Sequence, residues 1–307
     1  ALLARLESDN VFILPVESAE RDVWYRLHPL LGETLRERLT RRGPALLHEV
    51  HTAAWVWFRN RGLLDEAVRH AVSAGEDSAA ADLLEQCAQD LATRGDLRKL
   101  MGLVRTLPAE QVQKRFGLRL WMTRLKLYAR ELDACAADLA QLKAEVPATG
   151  ARAFALTMLQ ATLAVQRDDT DEAMAILPQM LQPPEGTEVF TISGRNNILS
   201  WLYMHRGEFE RAREIQREGP MLLRDGTPLM GTASGFLQGR CLVGLSHALE
   251  GHMTLAERVY RDVLHQAEQG GSAWIDPAYL AAALLGEVLY EVNDTQGALQ
   301  LLEDRVD

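Results

Sequence analysis

The 307-residue sequence holds three cysteines, Cys87, Cys135 and Cys241, far apart and with no CxxC pair. That excludes a disulfide framework and a zinc knuckle, and predicts buried, reduced thiols. No apolar run approaches the roughly 20 residues of a membrane-spanning helix, and no basic-then-apolar leader stands at the start. The expectation is a cytoplasmic chain with no membrane partner. Basic charge is in deficit, with 33 Lys and Arg against 43 Asp and Glu for a net charge of -10. The chain as a whole therefore has no field to hold it on a phosphate backbone, and nucleic acid is not expected as its direct partner.

Catalytic signatures are missing as well. A phosphate-cradling loop needs glycines followed by lysine, GxxxxGK[ST]. Gly226-Thr-Pro-Leu-Met-Gly231-Thr232 has the glycine spacing without the lysine and is read as an inter-repeat loop. In His48-Glu49-Val50-His51 the histidines are three apart where a zincin helix needs four, so no metal is expected there. No GxSxG elbow is present. The chain is read as a non-enzyme with no catalytic residue, metal or cofactor of its own.

Hydrophobic residues make up 47% of the sequence, enough for a sizeable core. It begins at Ala1 within an apolar, helix-like stretch running to Leu6 and stops at Asp307 in another. Neither is capped, and the reading is a piece of a longer protein. Residues Val11 to Val16 (VFILPV) form a short β-type run in which Pro15 suits an edge strand or bulge. A second run, Val23 to Leu27, follows a polar turn at Glu17 to Asp22, and the two predict a small hairpin. After His28-Pro29, apolar residues at Leu30, Leu31, Thr34, Leu35 and Leu39 predict a helix, with Pro29 near its start. Arg36, Arg38, Arg41 and Arg42 form a basic cluster. It is better read as cations complementing a helix C-terminus than as a nucleic-acid patch. Gly43-Pro44 ends this module.

From Pro44 onward the chain predicts helices of roughly 12 to 18 residues joined by short polar turns, as in antiparallel helix pairs. A turn followed by alanine recurs, ending at Ala67, Ala81, Ala173, Ala212, Ala256 and Ala298. A second small residue stands twelve positions before each of the last four: Ala161, Ser200, Gly244 and Gly286. Two small residues at that separation let helix A and helix B of a pair approach closely, which is the packing logic of tetratricopeptide repeats. The predicted fold is all-α, a tetratricopeptide-like helical-repeat superhelix preceded by a β-hairpin and helix.

Leu6 through Pro15, Trp24-Tyr-Arg-Leu-His-Pro-Leu-Leu31 and Leu35-Arg-Glu-Arg-Leu39 resemble the end of the winged-helix domain in MalT-like regulators. These are large ATP-dependent members of the LuxR class within the STAND group of signalling ATPases. His51 through Ala71 and Ala81-Asp-Leu-Leu-Glu85 are similar to that family's helical arm, and the later repeats resemble its sensor in kind only. The resemblance divides the chain into the C-terminal part of a winged-helix domain (1–42), a helical arm with first repeats (43–110) and a superhelical sensor (111–307). It implies that inducer binding, together with ATP or ADP bound elsewhere in the full-length protein, promotes homo-oligomer assembly. DNA would be read by a helix-turn-helix that this chain lacks. Leu27-His28-Pro29-Leu30-Leu31 looks like the STAND histidine motif, which makes His28 a candidate sensor of nucleotide state. Pro29 stands where related families often have Asp.

If the repeats are the sensor, the small-residue frame points certain A-helix residues inward: Asn197, Trp201, Met204, His205, Gln238, Cys241, Glu287 and Tyr290, with Arg195 and Asn196 nearby and polar. The ligand candidates among them are Arg195, Asn197, Trp201, His205, Gln238, Glu287 and Tyr290. An aromatic platform next to Asn, His and Arg suits a small polar or sugar-like inducer. Interhelical packing by Trp201 and Tyr290 is the competing reading. A protein-interaction scaffold without a small-molecule ligand is the alternative function.

Overall fold

The computed structural model describes residues 13–16, 24–93, 96–187, 189–217, 230–270 and 274–303, together with Leu6 and Arg305. Its contacts divide the chain into two compact units, 1–83 and 84–307.

The first unit opens with the expected hairpin. Strands β1 (Ile13–Val16) and β2 (Trp24–Leu27) pair antiparallel, Ile13 opposite Leu27 and Pro15 opposite Tyr25. In a two-stranded sheet each strand is an edge, which is where a proline without an N–H is tolerated. The predicted turn lies outside the described residues. Helix α1 (Pro29–Arg41) has Pro29 in its first turn and His28 as N-cap, whose carbonyl accepts from Gly32 N–H at 2.9 Å. Arg38 and Arg41 lie in its last turn, where their charge complements the helix dipole, and Arg41 pairs with Glu37 at 2.5 Å. Gly43, at φ 107°, breaks the chain before α2 (Pro44–Asn60), which is followed by α3 (Leu64–Ser73). Helix α4 (Asp77–Thr93) crosses from one unit to the other.

The second unit continues with α5 (Leu97–Thr106), α6 (Ala109–Gln113), and then paired helices. These are α7 (Phe116–Tyr128) with α8 (Leu132–Glu145), and α9 (Ala151–Gln166) with α10 (Thr170–Met180). They continue as α11 (Val189–His205) with α12 (Phe209–Ile215), α13 (Met230–Leu249) with α14 (Met253–Gln269), and α15 (Ile275–Glu291) with α16 (Thr295–Leu302). Gly231 and Thr232, expected in a loop, lie in the first turn of α13, and the rest of that loop segment up to Met230 falls outside the described residues.

One corner builds the pairs. A residue of positive φ follows helix A, the next N–H reaches back five residues to a helix A carbonyl, and a buried residue stands five after the positive φ. At Gly207, for example, Glu208 N–H bonds Tyr203 O at 2.8 Å and Ala212 is 1% exposed. The same arrangement repeats at Gly62, Gly75, Arg130, Asp168, Gly251 and Asn293. It satisfies carbonyls that a helix end would otherwise leave open, and it favours glycine because L-residues resist the left-handed region. The Gly75 corner places Ala80 in the frame, one residue before the expected Ala81, because the positive φ sits at Gly75 itself. The Arg130 corner adds a repeat that carries Thr123 and Cys135, both fully buried, where its neighbours carry smaller residues.

The core runs between successive pairs. One cluster joins Leu120, Cys135, Leu139, Leu156 and Leu159 of α7, α8 and α9; a second joins α9 through α12 around Met158, Met180, Leu199 and Tyr203. A third packs Tyr260, Val263, Ala281 and Leu285 of α14 and α15. Each pair thus completes its neighbour's core, as repeat packing requires.

Candidate functional site

The inward-facing residues divide by what they touch. Arg195 donates from Nε to Met180 O at 2.5 Å and from Nη2 to Leu181 O at 2.6 Å, tying the end of α10 to α11. Asn197 donates to Gly235 O at 2.9 Å and accepts from Gln216 Nε2 at 3.1 Å. Gly239 leaves the room for this knot, since a Cβ there would overlap Gln216 and stand 2.8 Å from Asn197 Oδ1. The donors of both residues are therefore engaged in inter-helix structure. Met204 and Cys241, expected on the inward-facing side, are instead core residues at 5% and 0% exposure, because their helix faces pack against neighbouring helices. Burial pushes the Cys241 thiol up to about 12, so it is protonated and inert at neutral pH.

The other candidates are more open. Trp201 is half-buried and its ring lies 3.8 Å from that of His205, centroid to centroid, with His205 Nδ1 3.0 Å from Trp201 O. Trp201 also packs against the core cluster of α9 to α12, as the competing packing reading has it. Gln238 is half-buried, and Glu287 and Tyr290 are exposed on α15.

A pocket that the sequence reading missed lies between α5, α6, α7 and α8, with a volume of about 260 Å³. Val104, Leu107, Val112, Met122 and Leu142 supply its apolar wall, and Thr123, Gln113 and Gln141 its neutral polar groups. Lys126 and Asp138, both lining it, form an ion pair at 2.5 Å with each side chain about 30% exposed. Arg119 reaches out with two bonds to the Glu145 carboxylate, at 2.5 and 2.8 Å. Its bond to Glu145 raises the Arg119 pKa further and holds Glu145 below the usual carboxylate range. Its lining is half apolar and half polar or charged, and its volume lies just below the roughly 300–1,000 Å³ usual for small-ligand sites. Its charged lining groups are Arg119, Lys126 and Asp138, and no histidine, cysteine or serine is among the lining residues. The missing cue in the sequence was the Arg130 corner, which lacks the glycine that marks most other corners.

His28 is half-buried at the start of α1. His48 and His51 face different groups: His48 Nδ1 lies 2.7 Å from Ala74 O, while His51 Nδ1 lies 2.9 Å from His70 Nδ1. No helix among the described residues is long and apolar enough to cross a membrane.

Residues 1–47 match the MalT winged helix domain, the module that the hairpin and α1 complete. The chain is MalT-like. It is 27% identical over 175 residues to the HTH-type transcriptional regulator MalT of Cronobacter sakazakii, covering 56% of this chain and 19% of that protein. MalT of Yersinia pestis is 24% identical over 228 residues, 73% of this chain and 25% of that protein. The serine/threonine-protein kinase PknK of Mycobacterium tuberculosis is 29% identical over 315 residues, 99% of this chain and 27% of the kinase. The chain thus spans about a quarter of the length of the relatives it matches.

Proposed function

We propose that this MalT-like chain is the effector-sensing and oligomerisation region of a LuxR-class transcriptional activator of the STAND type. It binds a small-molecule inducer and couples that event to assembly and to DNA binding by domains outside the chain. The observation that carries this reading is the MalT winged-helix match followed by helical repeats similar to MalT. The pocket between α5 and α8 is the place assigned to the inducer, because a small ligand needs enclosure by apolar walls and the A-helix face is open or already engaged. The Trp201–His205 platform, with Gln238, Glu287 and Tyr290, is the second place to test.

In this reading the chain itself is no enzyme, and ATP or ADP is held by another domain. His28 stands at the end of the winged helix, where its imidazole could donate to a phosphate and report nucleotide state to the repeats. The chain would work in the cytoplasm.

Thermal unfolding against a panel of small polar metabolites tests the reading, since a ligand at a hundred times its Kd adds about 2.7 kcal/mol of stability. Sedimentation velocity with and without the stabilising compound tests assembly. Absence of any stabilising metabolite would sink the sensor.

A second reading, a tetratricopeptide-type interaction scaffold, is favoured by the apolar groups exposed on the last pair, among them Tyr279, Tyr290 and Leu299. The PknK match over nearly the whole chain allows such a segment to serve a kinase as well as an activator.

A further inference from the structure

The corner between α13 and α14 differs from its siblings in the side chains it carries. Its backbone is the shared one: Gly251 has φ 81°, and His252 N–H bonds His247 O at 2.8 Å. That bond sets the residue four before the positive φ beside the residue one after it. At the Gly207 corner those positions hold Tyr203 and Glu208, and at the Asn293 corner Leu289 and Asp294. Here both are histidine, and Glu250 lies between them. Their rings stand 6.1 Å apart, centroid to centroid, His252 Nδ1 is 4.0 Å from Glu250 Oε2, and one donor atom from each of the three lies within 4.8 Å of the others.

We infer that His247, Glu250 and His252 form a binding site for a divalent transition-metal ion of the zinc, nickel or copper class. Two imidazoles and a carboxylate suit that class, whereas magnesium and calcium prefer oxygen donors throughout. A tetrahedral ion with bonds near 2.0 Å holds its donors about 3.3 Å apart. Closing the present set to that spacing needs rotation mainly of His252, whose side chain is 57% exposed.

Two further observations support the site. His247 Nδ1 is buried and makes no hydrogen bond, so a lone pair or N–H there lacks the partner that buried polar atoms normally have. Arg213 of α12 bonds the Glu250 Oε2 and also donates to Ser246 Oγ at 3.1 Å. Arg213 then acts as the outer partner that orients a carboxylate ligand, although its positive charge lowers the affinity. A bound ion would link the end of α13 to the start of α14.

The test uses the whole 307-residue chain, stripped with a chelator and titrated calorimetrically with zinc chloride. One equivalent binds in the micromolar range, and thermal unfolding shifts upward. His252→Gln, at an exposed position that leaves the fold intact, weakens binding at least about tenfold. Glu250→Gln weakens it in the same direction, and His265→Gln, outside the site, does not. Magnesium and calcium chloride give no heat. The site is overturned if the unsubstituted chain binds no zinc, or if His252→Gln binds it as tightly as the unsubstituted chain.

Discussion

Ser200 on α11 donates its hydroxyl to the carbonyl of Ala212 on α12 at 2.9 Å, and the two residues stand twelve positions apart. This bond shows why small residues recur at that separation. Where helix A crosses helix B only a small side chain fits, from the hydrogen of Gly244 and the methyl of Ala161 to Thr123, the largest of the set. In the next pair Gly244 lies so close to Tyr260 that a Cβ would overlap the ring, and in the last a Cβ on Gly286 would stand 2.9 Å from Leu302 Cδ1. Gly244→Ala should therefore destabilise the chain by about 1–3 kcal/mol through overpacking. Ser200→Ala should cost about 1 kcal/mol for the lost bond. Urea unfolding followed by circular dichroism checks both, with the midpoint lowered and the slope unchanged.

The corners predict stabilising changes too. Arg130 occupies a left-handed conformation at φ 59°, in the position where four sibling corners carry glycine. Arg130→Gly removes a steric cost of about 1 kcal/mol, less the entropy that glycine loses on folding. The expected outcome is a melting temperature raised by a degree or more. Gly207→Ala, the reverse change at φ 74°, lowers it.

These corners also explain how much was legible beforehand. Glycine at 62, 207 and 251 announces a left-handed turn, and the alanine five residues later announces a helix crossing, so those pairs could be read from spacing alone. Arg130, Thr123 and Cys135 perform the same roles with residue types that carry no such message, and their repeat was invisible. The Gly75 corner was legible but misread by one residue, because Ala80 and Ala81 are equally small and only the φ of Gly75 chooses between them. The candidate site was less legible than the fold. Helical periodicity placed Trp201 and His205 side by side, one turn apart. It could not foresee that Arg195 and Asn197 bond carbonyls of other helices, or that α5 to α8 enclose a pocket, since both depend on packing between segments.

The hairpin of α2 and α3 carries a pH dependence. With His51 Nδ1 2.9 Å from His70 Nδ1, one ring must donate and the other accept, so the contact requires at least one neutral ring. Burial first, then the His51 charge, lowers the His70 pKa below its ordinary 6.5, against a smaller opposing effect of Glu66. The unfolded chain therefore takes up a proton at higher pH than the folded one. The contribution to stability is full above pH 6.5 and falls as pH drops from there towards the folded pKa. Thermal unfolding at pH 7.5 and 5.5 should show a larger loss for the unsubstituted chain than for His51→Asn. Equal losses would assign the pH dependence to other groups.

Arg195 and Met122 separate support of the fold from ligand binding. Arg195→Ala removes two charge-assisted bonds to the last carbonyls of α10, and in this partly exposed setting should cost about 1–2 kcal/mol. It should leave the affinity for an inducer nearly unchanged if the ligand sits between α5 and α8. Met122→Trp projects a larger ring from α7 into the 260 Å³ pocket, which has room for it. That variant should keep its helical content yet lose the thermal shift produced by the inducer. Trp201→Ala tests the open face in the same assay. A shift that disappears with Trp201→Ala and survives Met122→Trp would move the inducer from the pocket to the A-helix platform.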